Sequence, residues 1–398
     1  MFTILKSEPY NKIYIIFKIK KTTMVRKIVW TLSMVCFAMS TLLSLVGIIS
    51  VIQLYFNVSI YYASLYASIF AGALGVSSLI TPAVFSRFEK KKLLIAILII
   101  TGLCNLLQIF ITDYHIAIIF RIIPAILYPI AVSTTLTIVG KISPNETNKV
   151  VLGISAGSIL GLSITSYLGL TMGYQTAMLW YCLLDFVALG LTVIFIPNFE
   201  GNKEPIALQI SHAKSKLFMY SLIFVFFLEV GVSVTYNYIP TYLRQVTMMD
   251  PEMLFITLLL MGLLSMVGTT IIGYLLAKKG NKTILFYPIA FAIVMFVVGS
   301  FVKDPILEFC ILMIFSLFDG SVYSIAQYSV TSSVRESPEF ANGIFLLLCN
   351  VSIFIGTMLG GFIIDQVDII YIFHGSIILI LISAIFSFIR VKKYPGAE

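Results

Sequence analysis

The chain has 398 residues, of which 59% are hydrophobic and only 11% charged, too few charges to cover a water-facing surface of ordinary polarity. The scarce charges fall in blocks between long apolar runs, which excludes a string of soluble domains and implies repeated membrane-spanning helices. The net charge of +8 does not indicate nucleic acid, because the lysines and arginines lie in short turns instead of forming one broad face.

Residues 1–30 form an expected cytoplasmic tail in which Lys6, Lys12, Lys18 and Lys20 surround an apolar patch too short to span; no small-residue cleavage site follows the next run. At about 20 apolar residues per crossing, the remainder accommodates twelve spans. The first six, a bundle at 31–196, are Thr31–Gln53, Tyr62–Phe85, Leu93–Ile111, Ile116–Val139, Val150–Leu170 and Ala177–Ile196. A polar interval at 197–216 is the expected central cytoplasmic linker. The second bundle, at 217–389, comprises Leu217–Tyr238, Leu254–Ala277, Ile284–Phe301, Ile306–Ser329, Ile344–Ile364 and Ile370–Ile389, followed by a cytoplasmic tail at 390–398. The fold class is thus an all-α polytopic membrane protein.

With the N-terminus inside, the inner turns carry Arg87, Lys90, Lys91, Lys92, Lys141, Lys149, Lys203, Lys214, Lys216, Lys278, Lys279, Lys282 and Arg335, and the tail adds Arg390, Lys392 and Lys393. The outer turns hold only Arg244 and Lys303, an asymmetry that places both termini in the cytoplasm of a cell-membrane protein. Asp113, Asp250, Asp304, Asp365 and Asp368 fall on the outer side.

Four ionisable residues are stranded within the spans. Arg121 and Asp185 enter spans 4 and 6 from the outer side at similar depths, and each is tolerable as half of an ion pair or facing a wet cavity. Arg121 suits either an anionic group or a proton-coupling role, since its charge is permanent. Glu229 in span 7 and Asp319 in span 10 lie near mid-membrane, where desolvation favours a neutral carboxyl unless water or a cation arrives. They can serve a proton-coupled carrier, or one can be a fixed hydrogen-bond donor between helices. Asn237, Tyr323, Gln327 and Asn350 supply uncharged polar groups in the same helices, as inter-helix glue or as solute contacts. Spans 4, 5, 7, 10 and 11 carry the polar residues of a path, whereas 3, 9 and 12 are suited to face lipid or to act as scaffold. Their abundance of Phe, Ile, Leu and Tyr implies a largely apolar or amphipathic cavity.

Span 5 places Gly153, Gly157 and Gly161 on one face, and span 11 repeats the device with Gly356 and Gly360 after Ser352. Small residues at this spacing permit close helix contact, and their recurrence supports two related halves. The basic turn Arg87, Lys90, Lys91, Lys92 recurs as Lys278, Lys279, Gly280, Lys282. Such cations anchor to lipid phosphates and can latch a face by bonding to carbonyls or acids of neighbouring helices.

From Thr31 to Lys393 the sequence resembles the major facilitator superfamily, in its twelve-span drug and sugar efflux branch of proton antiporters, which includes predicted arabinose efflux permeases. Pro82, Val84, Ser86, Arg87, Glu89, Lys90 and Lys91 fall on the family's Gly-x-Leu-Ala-Asp-Arg-x-Gly-Arg-Arg turn. Gly273, Leu275, Lys278, Gly280 and Lys282 resemble its second copy. Arg121 matches the arginine that opens the family's span 4 motif, and Gly153, Gly157 and Gly161 resemble its span 5 antiporter motif with Ser158 in place of proline. The resemblance implies a major facilitator fold of 12 transmembrane helices in two six-helix bundles, proton-coupled efflux by alternating access, and a proton-coupling role for Arg121.

The expected partners are a small organic solute, protons and membrane lipids; the expected state is monomeric, with no nucleic acid, metal or cofactor. The five cysteines are read as small hydrophobes, the three histidines are widely separated, and no nucleotide-binding loop or intramembrane catalytic set occurs. The competing readings are proton-coupled uptake and a transport-inactive sensor or scaffold.

Overall fold

The computed structural model describes residues 8–200, 215–300, 304–333 and 338–394. Most of the expected linker at 197–216, the beginning of the expected tail at 1–30, Arg335 and the last four residues of the 390–398 tail lie outside them. Among the described residues the elements are all helical, and eleven helices are long and apolar enough to cross a membrane.

Helix α1 (Glu8–Thr41) begins within the expected tail and passes through a 3-10 segment, Leu42–Ile48, into α2 (Ile49–Phe56). Then come α3 (Ile60–Ser78), the single turn α4 (Thr81–Phe85), and α5 (Lys90–Gln108) beyond the first basic turn. Helices α6 (Tyr114–Ile142), α7 (Thr147–Met172) and α8 (Tyr174–Phe195) complete the first half. The second half comprises α9 (Lys216–Tyr236), α10 (Ile239–Gln245), α11 (Pro251–Ser300), α12 (Pro305–Thr331), α13 (Pro338–Gln366) and α14 (Ile372–Lys393).

Two elements depart from the expected spans. Helix α11 is a single run of 50 residues where two spans were expected, but Lys279 within it has non-helical angles (φ −147°, ψ 53°). At 1.5 Å per residue the run measures about 75 Å, more than twice the hydrocarbon thickness, so the break in the second basic turn is where the chain folds back. Helix α14 runs on to Lys393, which places Arg390 inside a helix and not in a tail.

The aspartates expected on the outer side have a local purpose. Asp113 accepts from the Ile116 amide at 2.9 Å, Asp250 from Met253 at 2.7 Å, and Asp304 from Ile306 at 2.8 Å. Each caps the helix that follows it, satisfying amides that would otherwise be left open at a helix start.

Helices α1–α8 pack chiefly on one another, as do α9–α14, and the groups meet where α3 lies on α13 and α7 on α11. The glycine stripes lie within each group. A Cβ at Gly157 would stand 2.5 Å from the Phe37 carbonyl of α1, and one at Gly356 would stand 2.5 Å from the Val230 carbonyl of α9. Gly153 and Gly161 back onto Ser33 and Thr41, and Gly360 onto Val234. The stripes therefore fasten α7 to α1 and α13 to α9, the same device in each half, instead of lying between the halves.

Candidate functional site

Between the two groups lies a cavity of about 330 Å³. Leu43, Ser44 and Val46 from the 3-10 segment line it, with Ala67, Ser68 and Ala71 of α3 and Ser158 and Leu162 of α7. From the second half come Glu229, Val232, Ser233, Tyr236 and Asn237, then Asp319, Val322 and Tyr323 of α12, and Leu346, Cys349, Asn350 and Ile353 of α13. Spans 5, 7, 10 and 11 thus contribute as expected of path-lining helices. Span 4 contributes no lining residue, whereas spans 1 and 2 do.

The 3-10 segment is held by its neighbours. Arg121 of α6 donates through Nη2 to the Leu42 carbonyl, and Ser166 Oγ of α7 donates to the Gly47 carbonyl at 3.2 Å. These donors take carbonyls from the ordinary helical ladder, and such an interrupted stretch in mid-helix is a natural place for bending.

Of the expected site residues, five face the cavity together: Glu229, Asp319, Asn237, Tyr323 and Asn350. Glu229 is 7% exposed, and Cys349 Sγ donates to its Oε1 at 3.5 Å. Asp319 lies within electrostatic reach of Glu229. Among the described residues the ion pairs are Lys92 with Glu89 and Lys149 with Glu146, both near turns, so neither cavity acid has a fixed cationic partner. Two carboxyls beside an opening, with no cation on the lining, can hold or release protons as water and solute come and go. Asn237 donates to Thr357 Oγ1 and Asn350 to the Leu346 carbonyl, so both amides are partly occupied in joining or bracing helices.

The other expected residues lie elsewhere. Arg121 and Asp185 are fully buried but not paired: Asp185 accepts from Asn105 Nδ2 at 2.8 Å, while the Arg121 guanidinium stacks 4.5 Å from the Phe70 ring. Half-buried Gln327 does not line the cavity. In the first basic turn Lys90 Nζ donates to the Ser86 carbonyl at 2.8 Å and Lys91 Nζ to the Val193 carbonyl of α8 at 2.9 Å, whereas Arg87 is exposed. In the second, Lys278 bonds to Tyr274 of its own helix, Lys282 is exposed, and Gly280 makes room for the Tyr328 ring.

The cavity is covered at one end and open towards the other. At the covered end the Tyr61 amide donates to Asp365 Oδ2 at 3.3 Å, joining α3 to α13, and the Tyr167 and Phe255 rings meet at 6.0 Å, joining α7 to α11. Towards the basic turns the lining opens, with Tyr323 49% and Leu346 40% exposed.

Sequence reasoning missed three kinds of residue. The lining serines Ser44, Ser68 and Ser233 carry no signal that separates them from other small residues of a span. Cys349, taken as an inert hydrophobe, is the hydrogen-bond partner of Glu229. Arg390, counted among tail charges, is completely buried, and donates to Ser221 Oγ at 2.9 Å, Asn281 Oδ1 at 3.2 Å and Ser332 Oγ at 3.0 Å.

Comparison with known proteins gives a consistent picture. Residues 29–354 match the model of the Major Facilitator Superfamily. The chain is 24% identical over 360 residues to the uncharacterized MFS-type transporter YbcL of Bacillus subtilis, covering 88% of this chain and 91% of that one. It is also 24% identical over 383 residues to a probable sugar efflux transporter of Helicobacter pylori, covering 94% and 97%. Among solved structures, the nucleoside transporter NupG superposes with a TM-score of 0.73 at 15% identity, covering 92% of this chain and 99% of that one. A bacterial homolog of the human lysosomal transporter Spinster, in an inward-facing and occupied conformation, gives 0.72 at 11% identity, covering 93% and 97%. The family model spans most of the chain: it belongs to the Major Facilitator Superfamily, and is a multi-pass membrane protein that carries a small organic solute by secondary transport and is not an enzyme.

Proposed function

We propose that this chain is a proton-coupled exporter of a small, largely apolar or amphipathic organic solute, working by alternating access between two six-helix bundles of twelve crossings. The observation that carries the reading is the meeting of Glu229 and Asp319 on one cavity between the halves, without a cationic partner. A buried acid of this kind takes a proton when the cavity is dry and gives it up when water or a competing solute enters. The apolar lining favours a solute with a hydrophobic body and few polar groups.

The fold-back at Lys279 supports twelve crossings, since it divides α11 into two arms that each reach about 20 residues. If the basic turns face the cytoplasm of a cell-membrane protein, the cavity opens inward and both ends of the chain are cytoplasmic. Outward transport is supported by kinship to the probable sugar efflux transporter and by the efflux-branch motifs. Arg87, Lys90, Lys91, Lys278, Gly280 and Lys282 belong to the turns that re-pack as the inner face closes. Purified protein in liposomes under an imposed pH gradient, screened against drugs, sugars, purines and amino acids, tests the reading. Solute accumulation that follows the gradient and collapses with an uncoupler is expected; flux indifferent to the gradient contradicts proton coupling.

A further inference from the structure

Arg121 is a buried charge that its surroundings do not neutralise. It is 0% exposed, no carboxylate pairs with it, and its Nε and Nη1 find no acceptor among the described residues. What it does have is one backbone carbonyl, at Leu42, and the face of Phe70. A buried cation so sparsely served is costly to keep in place, and its open N–H groups are free to bind a ligand. Around it stand hydroxyls in the same condition. Tyr181 Oη lies beside Thr165 and within electrostatic reach of Arg121, yet neither hydroxyl closes a hydrogen bond of normal geometry. Ser44 Oγ, two residues along from the carbonyl that Arg121 holds, is likewise unpartnered, and it lines the cavity.

We infer that Arg121 and Tyr181, behind the first-half wall of the cavity, form with the lining residue Ser44 a subsite for the carboxylate of an amphipathic organic monoanion. A planar guanidinium with two free N–H edges matches a carboxylate by paired, charge-assisted hydrogen bonds, and the hydroxyls can donate to the same oxygens. The body of the solute would lie against the apolar cavity walls, where Leu43, Val46 and Leu162 are contributed from the same side. The Phe70 ring covers the guanidinium, and Ala67 and Ala71 on the same helix line the cavity, so in this reading the anion reaches Arg121 by displacing that ring. The inference rests on the cavity being the transport site. It does not depend on the direction of transport.

The test is equilibrium binding to the full chain in detergent, comparing 2-naphthoate with its neutral isostere 2-naphthamide. The wild-type protein is expected to prefer the carboxylate by about tenfold or more, and Arg121→Gln to erase that preference by weakening the carboxylate far more than the amide. Tyr181→Phe, which keeps the ring, is expected to narrow the preference by a few-fold. Equal binding of the two probes by the wild-type protein, or a preference that survives Arg121→Gln, overturns the subsite. Either result leaves the proton-coupled cavity standing if solute flux still follows the pH gradient, so the two readings fail separately.

Discussion

Two arginines, Arg121 and Arg390, are both completely buried in the described structure, and their surroundings could hardly differ more. Arg390 sits where α9, α11, α12 and α14 converge, and its three guanidinium nitrogens reach Ser221, Asn281 and Ser332. None of its partners lines the cavity. Arg121 lies behind the cavity wall with one carbonyl and two open nitrogens. Burial of a charge is therefore not in itself a sign of function. The informative quantity is how completely its hydrogen-bonding capacity is met by groups that stay put.

The comparison predicts opposite behaviour on substitution. Arg390→Ala removes a packed side chain and leaves its partners without a donor, and is expected to lower stability by about 3–5 kcal/mol, read as a large drop in the thermal unfolding midpoint in detergent. Gly157→Ala comes next. It drives a methyl group into the Phe37 carbonyl and parts α7 from α1, the helix that carries the segment Arg121 holds. A loss of about 1–3 kcal/mol is expected, and a neutral result would show that the stripe does not fasten the two helices. Arg121→Gln should change stability least, within about 1 kcal/mol, because losing one hydrogen bond is offset by relief from an unpaired buried charge. A collapse as severe as that of Arg390→Ala would place Arg121 with the structural arginines.

Much of this architecture was legible in the sequence because the hydrocarbon forces it. Apolar length marked the helices long enough to cross a membrane, and the second basic turn coincides with the single non-helical residue of α11, Lys279. Glu229 and Asp319 stood out because an acid at that depth is rare. The side on which each helix faces its neighbours did not. A helix that is apolar all round has no polar face to orient it, so span 4 was expected to line the path when none of its residues does, and spans 1 and 2 were overlooked. Partner choice was equally hidden: Arg121 and Asp185 were expected at similar depths, yet one bonds to a backbone carbonyl and the other to Asn105, a pairing that only three-dimensional packing decides. Arg390 was lost to a boundary, since the hydropathy of the last span falls away before its helix ends.

The most direct test of the central claim is uphill transport by Glu229→Gln and Asp319→Asn in liposomes under a pH gradient, with solute counterflow measured in parallel. If the two cavity acids carry the coupling proton, at least one substitution abolishes uphill flux and spares counterflow. Undiminished gradient-driven transport in both variants would contradict it.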